Sequence, residues 1–246
     1  MAANSSINTD ELRSLIVKDI VAHNFKSAEV FEKYGIDFCC KGNRPLGQAC
    51  EEKGVDADRL AGELKELFET GSADNNRYES WPLGYLADYI VHNHHSYVKT
   101  AAPVINARLD KVVRAHGQNH PFLMDVADMF DAVSRELESH LAKEEQILFP
   151  MIRKIDEVKA SGNAEAIQQL SAVSGPIRVM MLEHDRAGEM LERIRKMTDN
   201  FTLPQDACTT FAVTYKELDE FERDLHKHVF LENSILFPKS LEAAGA

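Results

Sequence analysis

The chain is poor in the residues that build fibrous, stapled or membrane-spanning proteins. Its 246 residues include only 12 glycines and 8 prolines, too few for a collagenous or low-complexity chain. It has four cysteines, Cys39, Cys40, Cys50 and Cys208, and because a bridge between neighbours is strained, a secreted disulfide framework is not expected. Reduced thiols fit better. No apolar run reaches the roughly 18 residues that span a bilayer. The opening stretch MAANSSINTDELRS has neither a basic n-region nor an apolar h-region, so the expected compartment is the cytoplasm, with no membrane partner. Positive charge is also short: 28 Lys and Arg against 40 Asp and Glu leave a net charge of −12. Acid exceeds base both in the first 80 residues and in the remainder, so the basic footprint of a nucleic-acid binder is missing. Strand-like alternation is absent too.

What is present is helical periodicity on a chain that is 44% hydrophobic. After a frayed tail to about residue 9, ELRSLIVKDIVAH and SAEVFEKYG read as short helices ending in a turn at Gly35. Pro45 is placed to open another, and Asp56 to cap DADRLAGELKELF. The polar stretch GSADNNRYES then marks a boundary, giving a small helical domain over 1–80 and a larger one over 81–246. The larger domain carries four long patterns of period 3.6, near 82–115, 121–160, 164–199 and 206–243. Gly175-Pro176 interrupts the third. Short separators make the four patterns antiparallel neighbours, so the fold class is all-α with a four-helix bundle.

The bundle contains an internal repeat. HLAKEEQILFP begins at His140, and HVFLENSILFP begins 88 residues later at His228. A second pair, His95 in NHHSYV and His184 in LEHDRAG, stands 89 residues apart. Each half of the bundle therefore offers a lone His from its first helix and a His-x-x-x-Glu from its second. Residues four apart on a helix lie about 40° apart and one turn along, so an imidazole and a carboxylate reach one point. The register picks Glu144 and Glu232. Glu145 points about 100° away from Glu144, and its counterpart is Asn233. His95 and His184 each lie on an apolar stripe, whereas His92 and His94 are expected on more solvated faces, and His226 opposite His228. The ILFP pieces read as packing, with a Pro-induced kink or stop.

Six donors then converge on apolar faces: His95, His140, Glu144, His184, His228 and Glu232. Any single His or His-x-x-x-Glu is more often an ordinary core residue or helical pair, but two copies at matched offsets reverse that weighting. Four imidazoles, two carboxylates and no thiolate are too many for one tetrahedral zinc and suit two irons sharing bridging carboxylates, with manganese second. Open metal positions imply small-ligand or redox chemistry.

These residues, with YGIDFCCKGN before them and WPLGYLADYIVHNHH, EHDRAGEM and DACTTF along the chain, resemble the RIC family of iron-sulfur cluster repair proteins. The resemblance covers nearly the whole chain. It implies a short ScdA-type N-terminal domain with paired cysteines, followed by a hemerythrin-like four-helix bundle holding a carboxylate- and oxo-bridged non-haem di-iron centre. The four histidines would be terminal ligands, with Glu144 and Glu232 bridging. It further implies damaged iron-sulfur proteins as partners, nitric oxide or O2 as small ligands, and leaves room for a homodimer. The alternatives on the same residues are a nitric oxide or peroxide reductase and a non-catalytic O2 or nitric oxide sensor. Cys39 and Cys40, beside Lys41, are candidates for low-pKa thiols that handle metal or nitric oxide. Cys50 and Cys208 are expected to be structural.

Overall fold

The computed structural model describes residues 9–69, 78–161 and 170–245. Among these residues the ordered elements are helices, with one isolated bridge between Ile16 and Pro45. The tail, most of the polar stretch at 71–80 and the start of the third long pattern, 164–169, lie outside the described residues.

Five short helices come first: α1 Thr9–Ser14, α2 Val17–His23, α3 Ser27–Lys33, α4 Leu46–Lys53 and α5 Ala57–Glu69. The run ELRSLIVKDIVAH, expected as one helix, is split at Ile16, which is extended at φ −73°, ψ 133°. Its neighbours bond elsewhere. Val17 N–H donates to the Arg44 carbonyl and Lys18 N–H to that of Gly42, both at 3.0 Å, while Leu46 N–H donates to the Leu15 carbonyl at 2.9 Å. The far end of the cysteine loop is thereby tied to the helix junction. α3 ends at Gly35, whose φ of +64° closes the turn. Asp56 Oδ1 accepts from the backbone N–H of Asp58 and Arg59 at 2.9 and 3.2 Å, which caps α5.

The long helices follow. The first is α6 Leu83–Ile90 continued by α7 Ser96–His116; the second is α8 Phe122–Lys143 continued by α9 Phe149–Ser161. The third is α10 Ser174–Met197, and the fourth is α11 Thr209–Phe230 continued by α12 Phe237–Ala244. Gly175 and Pro176 do not interrupt α10 but sit in its first turn, where a missing proline N–H costs nothing. α7, α8, α10 and α11 pack as a ring of neighbours. Their shared core includes Ile105, Leu109, Phe130, Val133, Leu191, Leu218 and Phe221, all buried.

Three helices carry a π-turn at the level of the repeat: Val91–His95, Glu144–Leu148 and Leu231–Leu236. Each inserts an extra residue into the helical ladder, so Phe149 N–H reaches back to the Glu144 carbonyl and Phe237 N–H to that of Glu232. The prolines of the ILFP pieces neither stop nor start this. Both helices run on past Pro150 and Pro238, and the turn at 91–95 is followed by Ser96 and Tyr97, with no proline before Pro103. The N-terminal helices pack against the same end of the bundle. Phe38 lies 6.0 Å from Phe230 and 5.9 Å from His226 between ring centres, and Phe25 lies 5.6 Å from Phe230. No described helix is long and apolar enough to cross a membrane.

Candidate metal centre

The fold brings the six repeat residues together. All are buried, and Glu144, Glu232, His95 and His228 have no exposed surface. They form two clusters that share both carboxylates: His95 with His228, and His140 with His184, each with Glu144 and Glu232. The clusters cross the repeat, each joining a lone His from one half to a His-x-x-x-Glu histidine from the other. Glu144 Oε2 lies 3.3 Å from His95 Nε2, and Glu144 Oε1 the same distance from His140 Nε2. Glu232 Oε1 is 3.2 Å from His228 Nε2, and its Oε2 is 3.1 Å from His184 Nε2. Each carboxylate thus turns one oxygen to each cluster, the disposition of a bridging ligand.

The donors are short of partners. Both oxygens of Glu144 and Glu232 and the Nε2 atoms of His95 and His228 are buried without a hydrogen bond, and an unpaired buried carboxylate is costly. His140 Nε2 and His184 Nε2 face each other at 3.0 Å. The set fits cations placed between these atoms. In the metal-free chain protons compensate in part. Burial works against the His140 cation, yet the Glu144 carboxylate 3.3 Å away raises it to about 9. Burial likewise pushes the Glu232 carboxyl up, but His228 and His184 bring it well below the carboxylate range. For His228 burial prevails and its imidazole is lowered.

The outer nitrogens are held as well, by residues the sequence reading did not assign to the site. Glu145 Oε1 is 2.8 Å from His95 Nδ1 and accepts from Lys99 at 2.6 Å. Glu183 Oε2 is 2.8 Å from His140 Nδ1 and is paired with Lys143. Asn233 Oδ1 is 3.0 Å from His184 Nδ1. Such partners fix the ring tautomer and orientation that a metal needs. Glu145 is therefore not idle: it belongs to neither inner cluster, but its carboxylate reaches the back of His95. The signal was present in its position directly after Glu144, matched by Asn233 after Glu232.

His94 is a second correction. It is 3% exposed, not solvated; its Nδ1 lies 2.9 Å from Asp224 and its ring is stacked near-parallel to His228. That face of the helix lies against α11 rather than water: Arg108, further along it, is paired with Glu217 of α11. His92 is exposed, and His226 faces the N-terminal helices, with Nδ1 3.3 Å from Glu32.

The cysteines also depart from expectation. Cys39 is buried and Cys40 half-buried. A hydrogen bond with Cys40, burial and Asp37 push the Cys39 thiol well above its ordinary value, so Lys41 does not make it a low-pKa thiol. Cys208 is exposed rather than packed, and a hydrogen bond from His116, with backbone N–H groups of the helix start, lowers it to about 7.

Comparison with known proteins matches two stretches of the chain. Residues 14–68 match the family model ScdA_N, a domain of unknown function, and residues 86–240 match the hemerythrin HHE cation binding domain. A protein of Enterobacter sp. (strain 638), iron-sulfur cluster repair protein YtfE, is 37% identical over 216 residues, covering 88% of this chain and 91% of the relative. The protein of the same name from Escherichia coli O81 (strain ED1a) is 36% identical over the same span.

Proposed function

Because this chain belongs to the iron-sulfur cluster repair family that joins an ScdA_N domain to a hemerythrin HHE domain, we propose that it repairs iron-sulfur clusters damaged by oxidative or nitrosative stress. His95 and His228 would hold one iron, His140 and His184 a second, and Glu144 and Glu232 would bridge them. The observation that carries this is the pair of four-residue clusters sharing two carboxylates whose four oxygens face imidazole nitrogens yet make no hydrogen bond. Bound iron would supply redox chemistry and open positions for nitric oxide or O2. The protein's own part is positional. Glu145, Glu183 and Asn233 orient three rings from outside, and the surrounding core keeps water from the inner donors. Damaged iron-sulfur proteins of the cytoplasm would be the partners, in keeping with four free thiols.

Cys39 and Cys40 would serve repair rather than hold the bundle's iron, because neither lies in the two inner clusters. Support for the repair reading over simple gas binding comes from their placement. Gly188 is one turn beyond His184 on α10, and a Cβ there would be 3.7 Å from Cys40 Sγ. Protein from iron-replete cells should carry about two irons per chain and transfer iron to an apo iron-sulfur protein. Stoichiometric zinc without iron would overturn the centre; iron retained but never transferred would overturn repair by iron supply.

A further inference from the structure

A second group of metal-ligating side chains lies outside the bundle centre. Asp37, Cys39 and Cys40 place a carboxylate oxygen and both sulfurs within 4.8 Å of one another. The two sulfurs are 3.8 Å apart, and Asp37 Oδ1 is 3.4 Å from Cys39 Sγ. These spacings have a meaning. With metal–sulfur bonds of about 2.3 Å and metal–oxygen bonds of about 2.0 Å, tetrahedral angles put two sulfurs about 3.8 Å apart, and sulfur and oxygen about 3.5 Å apart. Two of the trio's three edges therefore already match one face of a tetrahedral site, and the third, from Asp37 to Cys40, is within 4.8 Å.

The face is framed and accessible. Asp37 Oδ1 accepts from the backbone N–H of Cys39 and Cys40 at 3.0 and 2.9 Å, which fixes the carboxylate against the loop. Beside the loop is a cleft of about 810 Å³, lined by Asp37, Cys39 and Cys40 on one side and by Asp185, Gly188 and Glu189 of α10 on the other. A fourth ligand would come from that cleft, as water or from a client protein.

We propose that Asp37, Cys39 and Cys40 form a second metal site, distinct from the bundle centre, for one borderline divalent cation such as Fe2+ or Zn2+. Binding forms two metal–thiolate bonds and one metal–carboxylate bond, and the two thiol protons leave to solvent. No change of oxidation state is involved. Three protein ligands and an open fourth position make the cation exchangeable, unlike a closed structural site. The use of this site in repair rests on the function proposed above; the site itself does not.

The test uses the full chain with its bundle loaded with iron, titrated anaerobically with Cd2+. Thiolate-to-cadmium charge transfer reports only on sulfur, and the bundle centre contains none. One equivalent should give a band of two thiolates. Cys39→Ser and Cys40→Ser should each abolish the saturable band, Asp37→Asn should weaken binding by roughly tenfold or more, and Cys208→Ser should leave it unchanged. The iron spectrum verifies folding in every variant. No saturable band, or a band that survives Cys40→Ser or vanishes with Cys208→Ser, would overturn the site while leaving the bundle reading untouched.

Discussion

The two halves of the bundle, 83–161 and 170–244, repeat their inner donors and differ behind them. In the first half His95 is backed by Glu145, which is itself held by Lys99. In the second, the matching positions are His184, Asn233 and Gly188: a neutral amide replaces the carboxylate, and no lysine stands one turn beyond the histidine. Cys40 of the N-terminal loop lies there instead. The His-x-x-x-Glu histidines differ too. His140 is backed by Glu183, the residue before the lone His184, whereas the residue before His95 is His94. His94 stands beside His228, but His94 Nε2 and His228 Nδ1 are each buried without a partner. Inner donors answer to the cation and stay alike. Outer residues answer to local neighbours, and one half has given its lysine position to another part of the chain.

The comparison makes the carboxylates equivalent and the histidines specific to one cluster. Glu144→Ala or Glu232→Ala removes an oxygen from both clusters, so iron content should fall from about two per chain to well below one. His228→Ala touches only the cluster with His95 and should leave about one. Metal analysis with a folding check by circular dichroism decides it. A Glu144→Ala chain that keeps both irons would refute the sharing of carboxylates.

A smaller effect separates the outer residues. Glu145→Ala and Glu183→Ala should each weaken iron binding by about 10- to 100-fold, with Asn233→Ala at the lower end because a neutral acceptor orients its imidazole less strongly. Competition with a chelator measures this. Equal losses at 145 and 233 would show that the difference in charge between the halves is immaterial.

Titration of the metal-free chain should separate His140 from His228. His140 is raised to about 9, above the ordinary value of about 6.5. Its charge therefore stabilises the fold fully below that ordinary value, and the contribution is lost as pH rises through about 9. His228 is lowered and stays neutral over the same range. NMR of the imidazole resonances should find His140 titrating last of the two, and the melting temperature of the metal-free chain should fall on that account from neutral to alkaline pH. The iron-loaded chain should lack this component, because the cation displaces the proton. His228 titrating above His140 would contradict the assigned partners.

Much of this was legible from periodicity alone. The stripe through Val98, Ile105, Leu109 and Val112 is buried along with His95, and Met180, Ala187, Leu191 and Ile194 are buried with His184, because helical spacing survives where the ladder is regular. It failed for His94 because the charged residues on its face, read as a sign of solvent, include Arg108, which is paired with Glu217 of α11, the helix whose Asp224 also meets His94. The split at Ile16 was hidden for another reason: its cause is a pairing with residues 42–46, which no local pattern records. The thiol environment depended on contacts too. Lys41 is visible beside Cys40 in sequence, but burial and Asp37, which govern Cys39, belong to the fold.

The least visible difference between the halves is the link between positions 188 and 233, and it can be tested by rebuilding one half in the image of the other. Asn233→Glu places a carboxylate behind His184 with no lysine to hold it. It should leave both irons in place and change their affinity by less than about tenfold, at a cost to stability of about 1 kcal/mol from the unpaired charge. Gly188→Lys supplies the missing cation. By itself it gains helix propensity, so its worth is read as a coupling energy across the four chains of a double-mutant cycle. The coupling should favour the paired variant by a few tenths to about 1 kcal/mol. Lysine at 188 also occupies the ground over which Cys40 sits, so both chains with Gly188→Lys should bind Cd2+ at the cysteine loop more weakly than their parents. A coupling energy of zero together with unchanged cadmium binding would mean that the second half lost its lysine for reasons unconnected with the loop that now lies there.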